Sequence, residues 1–128
     1  MKRTGDGGVR ATSRDPAVAR LHDLVHQPAR LGILTVLTET NRADFPYLKA
    51  TLGLTDGNLG RHLEVLAEAG LVTITKGYEG RRPRTWAEIT KAGRGALAAQ
   101  VAAMKEIVER YESAKLAREA RDSAPGSH

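Results

Sequence analysis

The sequence predicts a mainly α-helical chain with a small β-sheet of two to three strands, and three observations lead to this fold class. Apolar residues recur at spacings of three and four through most of the chain, which is the pattern of amphipathic helices. Two short runs of β-forming residues, 71–76 and 85–89, interrupt that pattern. From residue 91 onwards, an alanine-rich segment repeats its apolar positions at the spacing of a coiled coil.

The segment 55–75 is the element around which the rest of the chain is organised. Thr55 can cap a helix that Gly70 ends, and the run LVTIT follows as a strand. Three leucines share the inner side of this helix: Leu59, Leu63 and Leu66. Small and polar residues occupy the outer side: Gly57, Asn58, Arg61 and Val65, with His62 on the flank. Glycine permits a close backbone approach, and Asn and Arg read base edges, so the segment predicts a recognition helix.

The residues before this helix complete a helix-turn-helix. Pro28 stands at the start of a predicted helix, in which Gly32 indicates close packing against a neighbour. Residues 41–44 are expected to be a polar connection, whose last residue, Asp44, caps the next helix. Residues 53–55 then make a tight turn with glycine at the helix end, which is typical of a helix-turn-helix.

The runs 71–76 and 85–89 predict two strands, each with one buried side. Between them, GYEGRRPRT (77–85) has glycine and proline at turn positions and predicts a loop. Four cations lie on this loop or beside it: Lys76, Arg81, Arg82 and Arg84. Such a tip is either simply solvated or, directly after a recognition helix, a wing that lies against phosphates or in the minor groove. The position after the helix favours a wing.

Thr90 caps the last predicted helix, which covers residues 91–121. Its apolar residues follow the spacing of a coiled-coil seam: Leu97, Val101, Met104, Val108 and Tyr111. At about 1.5 Å per residue, a helix of this length exceeds what so small a domain can cover. The seam therefore predicts a homodimer, and the alternative is a terminal helix folded back onto its own core.

These elements predict four regions. Residues 15–90 form a DNA-binding domain, and residues 91–121 form a dimerisation helix. Residues 1–14 are rich in basic residues and glycine and are expected to be a flexible arm, either a plain leader or a supporting DNA contact. Residues 122–128 are expected to be a disordered tail.

The composition favours a polyanionic partner and argues against several other classes of protein. The net charge is +5 and the pI is near 9.9. The absence of cysteine removes disulfides and thiolate metal sites. Because the sequence has neither an apolar signal region nor an apolar run of membrane length, we expect a cytoplasmic protein without a membrane partner.

The sequence predicts neither a metal site nor an active site. His22 and His26 lie one helical turn apart, which suits metal ligation, but the local sequence offers no third ligand. The sequence contains no recognisable nucleophile–base pair, phosphate-cradling loop or pair of acids with a pocket. We therefore expect no cofactor and no enzymatic activity.

The order of these elements resembles the winged helix-turn-helix transcriptional regulators of the MarR and ArsR type. Three passages carry the resemblance: PARLGIL, LGLTDGNLGRHLEVLAEAGLV and KGYEGRRPRTWAEITKAGRGAL. The third is especially similar to a small MarR-like subgroup of winged-helix DNA-binding domains. The resemblance covers about residues 16–112. It implies a dimeric bacterial regulator that reads an operator with residues 55–62 and braces the complex with the wing.

The predicted function is sequence-specific DNA binding by a homodimeric transcriptional regulator, a repressor, on a pseudo-palindromic operator. Asn58 and Arg61 are expected to contact base edges, and Gly57 permits the close approach. Thr55 and His62 are expected at phosphates or the edge of the site, and the four wing cations at the DNA backbone or minor groove. Two alternatives stay open: a winged-helix module that binds an acidic partner protein, and a sensor controlled by a small-molecule effector at the dimer interface.

Overall fold

The computed structural model describes residues 16–123, which form five α-helices and a three-stranded antiparallel sheet. The elements follow one another in this order: α1 (Pro16–His26), α2 (Pro28–Glu39), β1 (Ala43–Asp44), α3 (Phe45–Leu52), α4 (Asp56–Glu68), β2 (Val72–Glu79), β3 (Arg82–Ile89) and α5 (Lys91–Ser123). The predicted basic arm (1–14) and the last five residues of the predicted tail (124–128) lie outside the described residues.

Side-chain caps fix where the two helices of the helix-turn-helix begin. Asp44 Oδ1 accepts a hydrogen bond from the Tyr47 N–H at the start of α3, over 2.9 Å. Thr55 Oγ1 accepts one from the Asn58 N–H at the start of α4, over 3.1 Å. Gly53 ends α3 with a φ of 67°, a left-handed conformation that glycine adopts without steric cost. These caps and the tight turn confirm the predicted helix-turn-helix.

The apolar side of α4 packs into the centre of the core. Leu59, Leu63 and Leu66 are completely buried, together with Ile33 and Leu34 from α2. On the other side of α2, a Cβ added to Gly32 would lie 3.0 Å from the Leu52 side chain. The close packing predicted at this glycine is therefore confirmed, and it brings α3 against α2.

The sheet has the strand order β1-β3-β2. Val72 pairs with Ile89 and Ile74 with Ala87, so the apolar side predicted for both strands faces the core. The prediction of a polar connection at 41–44 is wrong, because Ala43 and Asp44 form β1 alongside β3. A strand of two residues is too short to show the alternation by which strands are recognised.

The hairpin is longer and its turn shorter than predicted. Strand pairing continues to Glu79 and Arg82, which leaves only Gly80 and Arg81 in the turn instead of the loop 77–85. Gly80 has a φ of 64°, the positive value that two-residue hairpin turns require at their first position. Pro83 lies beyond the end of β1, where one side of β3 has no partner strand, so its missing N–H is tolerated.

The chain divides into two compact units, the first of which ends at Leu97 and the second of which is the rest of α5. Thr90 caps α5 as predicted, since its Oγ1 accepts from the Gly93 N–H over 3.0 Å. The same hydroxyl donates to the carbonyl oxygen of Gly70 over 2.7 Å. Helix α5 contains 33 residues and extends two residues past its predicted end at 121. Within residues 16–123, no helix combines the length and hydropathy needed to span a membrane.

Candidate nucleic-acid interface

The outer side of α4 is open and polar. Gly57, Asn58 and Arg61 are exposed, and a Cβ added to Gly57 or Gly60 would meet no atom within 4 Å. Arg61 Nη2 donates a hydrogen bond to Asn58 Oδ1 over 3.3 Å, so the two predicted base-reading residues lie side by side. With the amide oxygen engaged in this way, the pair directs mainly N–H donors outwards. Acceptor atoms on base edges suit such a surface.

The N-terminal end of α4 carries one acidic side chain, which is paired. Asp56 Oδ1 lies 2.8 Å from Lys49 Nζ of α3, and the Asp56 side chain is 83% exposed. The oxygen of Thr55 is occupied by its cap, but its O–H can still donate to an anion. The ion pair and the helix dipole together favour the approach of a phosphate to this end of the helix.

His62 lies on the flank of α4 and contacts α2. Its Nδ1 accepts a hydrogen bond from Arg30 Nε over 3.2 Å. Arg30 also donates from Nη1 to the carbonyl oxygen of Leu24 over 3.2 Å. Partial burial, and then the charges of Arg30 and Arg61, lower the pKa of His62 below its ordinary value of 6.5. The imidazole is therefore neutral at physiological pH, and its Nε2–H can serve as a donor.

The hairpin distributes the predicted wing cations over both of its faces. We call residues 76–85 the wing. Lys76 pairs with Thr85, whereas Arg82 and Arg84 lie on the opposite face, because successive residues of a strand alternate between faces. Arg81 occupies the turn. Lys76, Arg81 and Arg82 are exposed, and in the part of the chain that the structure describes, 16–123, no ion pair involves them.

Arg84 differs from the other wing cations because its guanidinium is engaged within the protein. Its Nη1 lies 2.9 Å from Asp44 Oδ2 and its Nε lies 2.9 Å from Glu79 Oε1. The sequence does not predict this arrangement, nor does it predict the contact of Arg30 with His62. Forty residues separate Asp44 from Arg84, and no local pattern relates them.

The apolar seam of α5 is exposed beyond its first residue. Leu97 is only 8% exposed and belongs to the core of the first unit, so it is already buried within a single chain. Val101, Val108 and Tyr111 are 40%, 51% and 65% exposed. Val101 and Val108 line a groove on the second unit with Met104, Lys105, Glu109 and Glu112. The exposed part of the seam therefore starts at Val101.

The predicted histidine pair lies on α1. The rings of His22 and His26 are parallel to within 7°, with their centroids 6.0 Å apart. Among residues 16–123, no three His, Cys, Asp or Glu side chains come together in a group that could hold a metal ion.

The comparison with protein families decides the identity of this architecture. The family model described as "Winged helix DNA-binding domain" matches residues 29–108, well over half of the 128 residues. The chain belongs to the winged helix DNA-binding domain family. The match includes the helix-turn-helix, the wing and the α5 seam as far as Val108. The resemblance to winged helix-turn-helix regulators inferred from the sequence is therefore confirmed.

Individual relatives extend this result. An uncharacterized protein of Methanocaldococcus jannaschii is 43% identical over 65 residues, which are 51% of this winged helix chain and 71% of that protein. The HTH-type transcriptional regulator CmtR of Mycobacterium tuberculosis is 42% identical over 72 residues, 56% of this chain and 58% of that protein. The structure of a transcriptional regulator homologue from Pyrococcus horikoshii superimposes with a TM-score of 0.66 at 29% identity, over 80% of this chain and 95% of that one.

Proposed function

We propose that this DNA-binding transcriptional regulator acts as a homodimeric repressor on a pseudo-palindromic operator. The observation that carries the proposal is the exposed Asn58–Arg61 pair on the open side of α4. The pair stands on a helix that is capped at its start and buried along its inner side. The cap and the buried side keep this helix rigid. A major groove about 12 Å wide admits one α-helix, so α4 can enter it without rearranging.

Each side chain has its own role in this proposal. Asn58 and Arg61 contact base edges, while Gly57 lets the backbone of α4 come close to the groove. Thr55 and His62 donate to phosphates at the edge of the site. Lys76, Arg81 and Arg82 contact the DNA backbone or the minor groove from the wing. They are unpaired in the described range 16–123, so no internal contact has to break before they bind a phosphate.

The homodimer is supported by the exposed seam of α5. Val101, Val108 and Tyr111 would leave apolar surface in water on a lone protomer, and burying it against a second copy is favourable. A two-fold dimer presents two copies of α4 and therefore requires two related half-sites. In this proposal the bound dimer represses by occupying an operator that overlaps a promoter, where it excludes the polymerase. Control by a small-molecule effector stays a prediction from the resemblance.

The decisive experiment is selection of bound sequences from a random duplex pool. We expect enrichment of an inverted repeat whose half-sites are centred about one helical turn, ~10 base pairs, or a multiple of it apart. The enriched duplex should compete with random duplex at several salt concentrations. If no sequence is enriched and binding reflects charge alone, the protein reads no operator. An acidic partner protein then becomes the better explanation of the positive surface.

A further inference from the structure

We propose that Arg84 is a positioning residue that fixes the wing to the helix-turn-helix, rather than a phosphate contact like its neighbours Arg81 and Arg82. This inference rests on the proposed DNA-binding function. It assigns to one arginine of the wing the task of setting where the other two meet the DNA.

The sheet places two carboxylates next to Arg84. Asp44 pairs with Trp86, and Glu79 pairs with Arg82, so both carboxylates lie diagonally to Arg84 on the same face. Arg84 Nη1 donates a hydrogen bond to Asp44 Oδ2 over 2.9 Å. The Nε, 2.9 Å from Glu79 Oε1, makes an ion pair without an aligned hydrogen bond. Arg84, on the central strand, thus bridges both neighbouring strands.

Each carboxylate oxygen of Asp44 accepts its own hydrogen bond. Its Oδ1 accepts from the Tyr47 N–H and so caps α3, while its Oδ2 accepts from Arg84. One carboxylate therefore ties the wing to the first helix of the helix-turn-helix. The side chains of Asp44 and Arg84 are 24% and 25% exposed. Because they are partly buried, solvent and salt screen their attraction less than that of a pair at an open surface.

Trp86 packs on the same face of the sheet as this pair. The residue opposite Arg84 on β2 is Gly77, and a Cβ there would lie 3.2 Å from the ring of Trp86. The Arg42 guanidinium makes a cation–π contact with the Trp86 ring, with Cζ 4.0 Å from the ring centroid. The Trp86 side chain thus fills the space above Gly77 of β2 and contacts Arg42, the residue just before β1.

The charges next to Arg84 differ from those next to Arg81 and Arg82. Two carboxylates face the Arg84 guanidinium, whereas Arg81 and Arg82 have no ion pair within residues 16–123. For Arg84 to bind a phosphate, it would have to give up an ion pair that is three-quarters buried. Arg81 and Arg82 would give up only water. Positioning and phosphate binding are therefore divided between different arginines of the same hairpin.

The test uses the opposite signs that the two roles predict for Asp44→Asn. Asparagine still caps α3, but it removes the negative charge that holds Arg84. If Arg84 contacts phosphate, losing this carboxylate should tighten DNA binding, since it frees a cation and removes a repulsion. If Arg84 positions the wing, Asp44→Asn should weaken binding to the selected operator about three- to tenfold, as expected for one partly buried ion pair.

Arg84→Gln and the double variant Asp44→Asn/Arg84→Gln complete a double-mutant cycle. Arg82→Gln is the matched control, on the same strand and face. We expect Arg84→Gln to weaken binding in the wild type and to add little to Asp44→Asn. The effect of Arg82→Gln should be nearly the same in both backgrounds, with the salt slope reduced by about one unit. Unchanged or tighter binding by Asp44→Asn, or a full additional loss for Arg84→Gln, would overturn the proposal.

A second measurement needs no DNA and separates this inference from the proposed function. Amide hydrogen exchange of the free protein should be about tenfold faster across residues 77–84 in Asp44→Asn, with exchange in α4 unchanged. If wild-type protein selects no operator but this acceleration is seen, DNA reading fails while the positioning role stands. If the operator is selected and exchange in the wing does not change, the positioning role fails alone.

Discussion

Arg30 Nε donates a hydrogen bond to His62 Nδ1 over 3.2 Å and so joins the first turn of α2 to the flank of α4. The same guanidinium donates to the Leu24 carbonyl near the end of α1. One side chain therefore holds three helices together. The contact with His62 exists only while Nδ1 keeps its lone pair, since a protonated imidazole has no acceptor.

This contact makes the stability of the free protein depend on pH. The pKa of His62 is lower in the folded state than its ordinary value of 6.5, so the unfolded chain binds more protons between these two values. The contribution of neutral His62 is complete above pH 6.5 and is lost as the pH falls through the lowered pKa. Urea unfolding at about pH 7.5 and pH 5 should show a smaller loss of stability for His62→Gln than for the wild type.

His22→Gln is the control for this measurement, because His22 is exposed on α1. It should retain the wild-type dependence of stability on pH. The same dependence in wild type and His62→Gln would mean that the Arg30–His62 contact contributes nothing measurable.

The start of α5 provides a sharp test of packing. A Cβ added to Gly93 would lie 2.1 Å from the Leu71 carbonyl oxygen, whereas one added to Gly95 would meet nothing within 4 Å. Gly93→Ala should therefore destabilise the fold by about 2 kcal/mol or more, because the start of α5 would have to move away from the backbone of Leu71. Gly95→Ala should stabilise it by up to ~1 kcal/mol through helix propensity. Thermal or urea unfolding of the pair measures both, and equal shifts would contradict the close approach.

Base reading by α4 is tested with Arg61→Ala. Loss of a base-edge contact should cost about 1–3 kcal/mol on the selected operator and much less on random duplex, with relaxed preference at one base position. Arg82→Ala is the comparison: a phosphate contact should weaken both duplexes similarly and reduce the salt slope by about one unit. A salt titration of each variant on operator and scrambled duplexes gives these values. An unchanged specificity ratio for Arg61→Ala would exclude this residue from base recognition.

Dimerisation through α5 is tested with Val101→Glu. Val101 lies on the exposed seam, and a buried carboxylate without a partner is costly, so the variant should be monomeric at protein concentrations of about tens of micromolar. Ala99→Glu adds the same charge on the opposite side of the helix, so its mass in solution should remain that of the wild-type dimer. Light scattering distinguishes these outcomes. A wild-type protein that is itself monomeric in this range would refute the homodimer.

Features of the fold that depend on neighbours along the chain could be predicted from the sequence. Thr55, Asp44 and Gly53 signal the boundaries of the helix-turn-helix because caps and positive-φ turns act within a few residues. Leucines at spacings of four and three define the inner side of α4 for the same reason. The outer side, which carries the predicted base-reading pair, follows by elimination.

Features that depend on distant residues could not be predicted. Gly77 and Pro83 are typical of turns, yet strand pairing overrides them, because register is set by the partner strand. The strand β1 is defined only by its pairing with β3. The engagement of Arg84 depends on this same pairing, which brings Asp44 alongside it. A cationic segment therefore predicts a positive surface, but not which of its arginines are free.

The wing extends beyond the end of β1, so a small tilt where β1 ends becomes a larger displacement at the tip. The last pair of β1 joins Asp44 to Trp86, while β3 continues to Arg82 at the turn. At about 3.3 Å per residue, the overhang of four residues is ~13 Å long. A tilt of about 10° at its base would move the tip by roughly 2 Å, enough to turn a direct hydrogen bond into a gap that only water can bridge. Arg84 lies halfway along the overhang, so its bond to Asp44 sets the angular precision of the tip.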